Sequence, residues 1–435
     1  MSHVEPVLLA RAALSRLIEP SDTVGQALVA AAGPETAALV ASGRQRAGTT
    51  LRRDMESLLE ERGVRGTDRV FAEALARWLP RTADLAPQRD LQTVHRFGGR
   101  MLVPEDSDWP AALADLGQSM PFCLWSRGQG TIPELGQCLA LVGSRDATSY
   151  GLATTGDLSA GLVQRGRTVI SGGAYGIDAQ AHRSALAVGG SRTGSDKRAA
   201  PDGIRPSAGG SAETSTLAVL AGGVDRLYPA GNDDLLRAVA ETGLILSEVP
   251  PGSAPTRWRF LQRNRIIAAL AAATVVVEAR WRSGALNTAH HAAELGRGVG
   301  AVPGSVYSAN SAGCHRLLRD GSAVCVTDAA EALELANPFA LASEDDGGRD
   351  RAGVPADHDG LSVEDVLLLD ALPLRKAVPP QKLSAVAGLG AAAVRAGLAR
   401  LELSGLARRT GDGLWQRGER PPVHPSTTRP PFKGD

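Results

Sequence analysis

Residues 168–178 read Thr168-Val169-Ile170-Ser171-Gly172-Gly173-Ala174-Tyr175-Gly176-Ile177-Asp178. A β-branched apolar run stops at a serine and two glycines, then opens directly into a helical pattern. This is a strand-to-helix turn of the form G-x-G-x-x-G with serine in the first position. Glycines let a ligand approach the backbone, and the following helix N-terminus favours an anion. The motif is moderately specific for phosphate and weak for a dinucleotide. The acidic residue that a dinucleotide site wants about 20 positions on is displaced by a segment of low complexity. Asp178 reads as a cap or loop holder. No P-loop G-x-x-x-x-G-K-[ST] occurs in the chain.

The same grammar repeats outward from this turn. Leu139-Ala140-Leu141-Val142 ends at Gly143, 216–220 at Gly222-Gly223, and 244–246 at Ser247-Glu248. Further runs at 274–277, 299–302 and 323–326 end at Glu278, Pro303-Gly304 and Thr327-Asp328. Continuous apolar strands separated by helix-length segments indicate a parallel sheet covered on both faces. Residues 83–340 are therefore expected to form a doubly wound α/β domain that binds at the carboxyl ends of its strands.

Around it, residues 1–82 read as short helices, with turn and cap signals at Pro20-Ser21-Asp22 and Gly33-Pro34-Glu35. Residues 189–215 are Gly, Ser, Ala, Arg and Pro with a single large apolar residue, Ile204, and are expected to be a disordered insertion. An acidic, Gly-rich linker spans 341–358 and a Pro-rich disordered tail spans 419–435. Between them, 359–418 carry three helical segments and a two-strand pattern, as in a winged helix-turn-helix. With eight basic and six acidic residues there, the charge excess is small for a DNA reader, and protein binding is an equal reading.

The chain has 435 residues, with Lys+Arg 47 against Asp+Glu 47 and therefore no net charge. That excludes a globally basic nucleic-acid coat but leaves room for a local patch. Only four cations are lysines, at 197, 376, 382 and 433, so any phosphate contact must be made mostly by arginine. The four cysteines, 123, 138, 314 and 325, form no C-x-x-C pair. Their place in apolar stretches suggests buried thiols in a reducing cytoplasm. No signal peptide and no run of about 18 apolar residues is legible, so no membrane span is expected. The eight histidines form no metal-ligand set, and no activated nucleophile appears; no catalytic residue, metal or cofactor is assigned.

Two further motifs fall on the rim of the Gly-rich turn. Gly143-Ser144-Arg145 follows the first strand, where free N–H groups and a forked guanidinium suit a phosphate; the alternative is a tight turn with a solvated arginine. Arg257, Arg259, Arg263 and Arg265 fall within nine residues that contain no acid, with Trp258 and Phe260 interleaved. Arginines clamp phosphates and aromatics stack on single-stranded bases; the alternative is a solvated helix start with its aromatics packed inward. Tyr228-Pro229 reaches the same rim, either to stack or to shape the loop. Glu278 is the one carboxylate there with the potential to act as a base.

In this order, Gly143-Ser144-Arg145, Ser171 to Asp178 with Ala181-His182, Tyr228-Pro229, Arg263-Asn264-Arg265-Ile266-Ile267-Ala268, Val276-Val277-Glu278-Ala279 with Ser283-Gly284, and Ala301-Val302-Pro303-Gly304 resemble the DNA-processing protein DprA (Smf) family. The likeness covers about 130–335. It implies an extended Rossmann-like domain binding single-stranded DNA, a sterile-alpha-motif-like N-terminal domain and a C-terminal winged helix. It also implies homodimers, and interaction with RecA during natural transformation. Carried over by the motif, Arg145, the backbone of Ser171, Gly172 and Gly173, Arg263 and Arg265 are expected DNA contacts, beside Gly143, Ser144, Gly176, Tyr228, Arg257, Arg259, Phe260 and Asn264 on the rim. Leu261 stands where many members have Pro, Tyr175 where many have Arg, and Asn287 replaces an aliphatic residue. A dimer is further suggested by Leu286, Ala289, Ala292, Ala293 and Leu295, which give one helix more apolar surface than one sheet face needs, unless that helix is core. Competing functions are a nucleotide phosphoribohydrolase of the lysine-decarboxylase-like type, whose P-G-G-x-G-T loop this chain does not carry, and a duplex-DNA transcription regulator.

Overall fold

Strands that are apolar on both sides of the pleat must be covered twice, and the chain supplies a helix after nearly every one. The computed structural model describes residues 4–194, 214–336, 361–373 and 377–418. The chain divides into two units, Met1–Asp345 and Asp346–Asp435.

The first unit opens with helices α1 (Val4–Leu17), α2 (Thr23–Ala41), α3 (Thr49–Glu60) and α4 (Thr67–Trp78). Asp22 caps α2, its Oδ1 accepting from the backbone N–H groups of Val24 and Gly25 at 3.0 Å. Leu14, Leu17, Leu28, Met55, Leu59 and Trp78 form the core of this helical layer. Contrary to the expectation from sequence, α2 is long and apolar enough, by length and composition, to cross a membrane. Here it is broken at Gly33 (φ 72°, ψ 165°) ahead of Pro34, and its apolar residues fill the helical core.

There follow α5 (Pro87–Arg96), β1 (Gly99–Leu102), β2 (Leu124–Gly128), β3 (Cys138–Val142), α6 (Ser149–Gln164), β4 (Thr168–Ser171) and α7 (Ile177–Gly194). The chain continues through β5 (Thr216–Leu220), α8 (Asp233–Thr242), β6 (Leu244–Ser247), α9 (Arg257–Leu270) and β7 (Ala273–Val276). It ends with α10 (Ala285–Glu294), β8 (Gly298–Ala301), α11 (Ala312–Arg319), β9 (Val324–Cys325) and α12 (Ala329–Ala336). All nine strands form one sheet in the order β1-β2-β6-β5-β4-β3-β7-β8-β9. From β3 to β9 the strands are parallel, with Leu139 opposite Val169 on one side and Ala273 on the other.

The period-2 alternation sorts the side chains. Ala140, Val142, Ile170, Leu217 and Val219 face α9 and α10, while Leu139, Leu141, Val169, Ala273 and Val275 face α6, α7 and α12. The doubly wound expectation holds. From β3 the chain winds outward through β4, β5 and β6, then returns to β7 on the other side of β3. This reversal is the topological switch point, where a crevice opens beyond the carboxyl ends of the strands.

Several expectations are corrected. The antiparallel strands β1 and β2, which extend the sheet past β6, were not foreseen. Strand β9 is two exposed residues, because it lies at the sheet edge and not inside it. Cys123, Cys138 and Cys314 are buried, their thiols pushed up to about 12 by burial, but Cys325 is exposed on that edge. The proposed insertion starts later than residue 189, since α7 runs to Gly194. Thr214, at its other end, is buried and hydrogen-bonded to Thr131. Residues 195–213, the linker at 341–358 and the tail at 419–435 lie outside the described residues.

The second unit contains α13 (Val363–Ala371), α14 (Pro380–Ala387), α15 (Ala391–Leu403), β10 (Ala407–Arg409) and β11 (Trp415–Arg417). Helices α14 and α15 meet at 104° across a turn in which Gly388 is left-handed at φ 68°. Strands β10 and β11 pair antiparallel, and Val378 bridges to Trp415. Leu368, Leu369, Leu383, Val394, Leu398 and Trp415 make the core. Helix α13 starts at Val363, two residues after the sequence expectation, because Ser362 caps it by accepting from Asp365 N at 3.2 Å.

Candidate nucleic-acid interface

A cavity of about 600 Å³ lies at the switch point, lined by Gly143, Ser144 and Arg145 after β3, by Thr256, Arg257 and Phe260 of α9, and by Arg280, Arg282, Ser283 and Gly284 after β7. The loops meeting here are packed backbone against backbone. A Cβ on Gly176 (φ 74°) would stand 2.2 Å from the carbonyl oxygen of Ser144, so the second Gly loop can close on the first only as glycine. A Cβ on Gly172 would stand 2.1 Å from Nη1 of Arg263. That guanidinium is itself held by the carbonyl oxygens of Gly172 and Val219, each accepting from Nη1 at 2.6 Å.

Arg263 is therefore a buried pin under the Gly loop. Burial pulls its pKa down to about 10, against the favourable charge of Asp178 and with the opposing charge of Arg145 nearby. Burial in turn raises Asp178, which Arg263 counteracts. Beneath them His182 donates from Nδ1 to Thr216 Oγ1 (2.7 Å), since Thr216 gives its own proton to the Val169 carbonyl. Desolvation, then the charge of Arg263, drops the His182 pKa to about 3.

The other arginines of the expected cluster separate into two groups. Arg265 is buried in a bidentate pair with Glu248 (2.8 and 2.7 Å) and also donates to Ser119 O. Arg259 forks onto Glu19 of the N-terminal layer (3.0 and 2.8 Å). Asn264 bridges Gly284 O and Asn287 Oδ1, so Asn287 completes a polar link that an aliphatic side chain has no atoms to make. Arg263 and Arg265 were expected to face DNA; both are instead spent on carbonyls and a carboxylate inside the fold. Arg145, Arg257 and Arg282 line the cavity, and among the described residues their side chains form no hydrogen bond or ion pair. Arg282 was missed from the sequence, although Arg280-Trp281-Arg282 repeats the pattern Arg257-Trp258-Arg259. Arg280 is engaged with Asp146 and Asn310.

Glu278 is not placed to act as a base. Its two oxygens accept from the backbone N–H (2.9 Å) and hydroxyl (2.6 Å) of Thr148, the N-cap of α6. Thr256 caps α9, accepting from Arg259 N at 3.2 Å, and the positive end of that helix borders the cavity.

Aromatic residues concentrate on this edge. Phe260 is half-buried, with the Arg145 guanidinium 4.8 Å from its centroid and that of Arg263 at 5.9 Å. Tyr228 is tilted against it at 5.9 Å. Phe260 therefore orients cations more than it offers a free face. Tyr228 and Trp258 are about half exposed, as are Tyr150 in the first turn of α6 and Tyr175 and Trp281 on neighbouring loops. The Tyr175 hydroxyl accepts from Gly231 N at 3.2 Å. Of the expected dimer stripe, Leu286, Ala289 and Ala292 are buried core, Leu295 is half-buried against it and Ala293 is exposed.

Residues 100–337 match the family model described as DNA recombination-mediator protein A. A Mycobacterium tuberculosis protein bearing the name DNA processing protein DprA is 39% identical over 424 residues, 95% of each chain. Protein Smf of Synechocystis is 36% identical over 251 residues, 56% of each chain. The X-ray structure of DNA processing protein A from Streptococcus pneumoniae superposes with a TM-score of 0.53 at 26% identity, over 74% of this chain and 95% of that one.

Proposed function

The chain belongs to the DNA recombination-mediator protein A (DprA/Smf) family of DNA-processing proteins, and on that premise we propose that it binds single-stranded DNA across the carboxyl edge of its sheet. The observation that carries this reading is the crevice at the switch point, where Arg145, Arg257 and Arg282 stand unpaired beside exposed aromatic rings. Arginines neutralise the phosphates, and rings accept bases of any identity. Anisotropy titrations with oligo-dT and with a duplex of equal length test it. Single strands should win, and affinity should fall with salt at a log–log slope of about −2, from roughly −0.7 per phosphate for three arginines. A duplex preference or salt-insensitive binding would reject it.

We further propose that the protein is a cytoplasmic homodimer that shields incoming strands and loads RecA onto them during DNA uptake. Its membership of the family supports this reading. Light scattering at micromolar protein and a RecA pull-down with residues 83–340 test the two halves. A clean monomer mass rejects the dimer, and capture that requires 359–418 moves the RecA surface to the second unit.

A further inference from the structure

Two Arg-Trp-Arg tripeptides flank the crevice: Arg257-Trp258-Arg259 at the start of α9 and Arg280-Trp281-Arg282 after β7. Both border the same cavity, and each contributes arginine to the lining. The two tryptophans are almost equally exposed, Trp258 at 51% and Trp281 at 52%. Exposing half an indole is unfavourable in water, and the other tryptophans are less exposed: Trp78, Trp125 and Trp415 are buried and Trp109 is half-buried. One side of the Trp281 ring is held by the Arg316 guanidinium of α11, 5.1 Å from the ring centroid. The backbone there is fixed as well, with Gly313 N donating to Ala279 O and Arg280 tied to Asn310. Trp281 is thus a stiffened ring with a free face, next to the unpaired Arg282. By contrast, the central ring of the crevice, Phe260, is already occupied by Arg145 and Arg263.

We propose that Arg280-Trp281-Arg282 is a second jaw of the interface, in which Trp281 stacks on a base of the strand leaving the crevice while Arg282 meets the adjoining phosphate. The strand then spans the switch point from α9 to α11. This inference rests on the single-strand reading above.

The test uses the full chain, oligo-dT, and an oligonucleotide of equal length whose central positions are abasic. Trp281→Ala should weaken oligo-dT binding about tenfold or more, as expected for loss of one stacked base. It should leave the abasic oligonucleotide unaffected, and Trp281→Phe should restore most of the loss. Wild-type affinity of Trp281→Ala for oligo-dT overturns the second jaw while leaving the crevice reading intact. An equal loss on both oligonucleotides overturns stacking in favour of a fold or charge effect. Failure of the wild-type chain to bind oligo-dT overturns both readings.

Discussion

Arg145 and Arg263 both point toward one phenyl ring, yet they differ in what they leave free. Arg145 is exposed and, among the described residues, its side chain meets only the Phe260 face, whereas Arg263 is buried and spends its Nη1 on two carbonyls. A charge-assisted hydrogen bond is worth about 1.5–3 kcal/mol. Arg145→Ala should therefore cost about ten- to hundredfold in single-strand affinity with an unchanged melting temperature, read by anisotropy and calorimetry. Arg263→Ala should lower the melting temperature first, since it strands two buried acceptors and leaves Asp178 without its cation; a variant that melts like wild type would refute the pin. His182 supplies a pH prediction. Its pKa falls from 6.5 to about 3 in the fold, so the unfolded chain takes up the proton first and stability drops as pH falls below 6.5. At about pH 5 the loss relative to neutral pH should reach about 2 kcal/mol, from roughly 1.36 kcal/mol per unit. Urea midpoints of wild type and His182→Gln at both pH values check it, the variant lacking that increment.

Helix α9 carries the argument at the next scale. Its first turn borders the crevice, its middle pins the Gly loop, and its last turns are fully buried core. On its outer side Arg259 is held by Glu19, which connects the N-terminal helices to the rim. Burial would push the Glu19 carboxyl up, but Arg259 and Arg81 overcome it and hold it below its ordinary value. The bond is therefore complete at neutral pH and weakens only as acid protonates Glu19. Glu19→Gln should release Arg259 toward a phosphate. We expect tighter binding of oligo-dT at low salt and a slope steeper by about 0.7. An unchanged slope would show that Arg259 stays clear of the strand.

For the whole molecule, the two units have separate hydrophobic cores. A fragment ending at Asp345 contains the entire crevice and should bind oligo-dT within about twofold of the full chain, since no phosphate contact proposed above lies beyond it. A large loss in the fragment, measured in the same titration, would place part of the site in the second unit.

The seven parallel strands and the helices between them were legible in the sequence because a doubly covered strand writes itself as an unbroken apolar run, ended by a glycine or a polar turn. The turns at Gly143-Ser144-Arg145 and Ser171-Gly172-Gly173 were legible for the same local reason: a tight strand-to-helix turn needs particular residue types at particular steps. Strands β1 and β2 escaped because four or five residues with mixed polarity, such as Gly99-Arg100-Met101-Leu102, take their strand state from pairing, β1 with β2 and β2 with β6, and not from their own pattern. Which arginine is free was decided only by tertiary structure. Arg257, Arg259, Arg263 and Arg265 look alike within nine residues, but a helix distributes them around its axis. One then meets Glu19, one two backbone carbonyls and one Glu248, while Arg257 meets solvent. The partners come from 240, 91 or 44, and 17 residues away. A charge is committed by what the fold brings against it, and no local spacing encodes that.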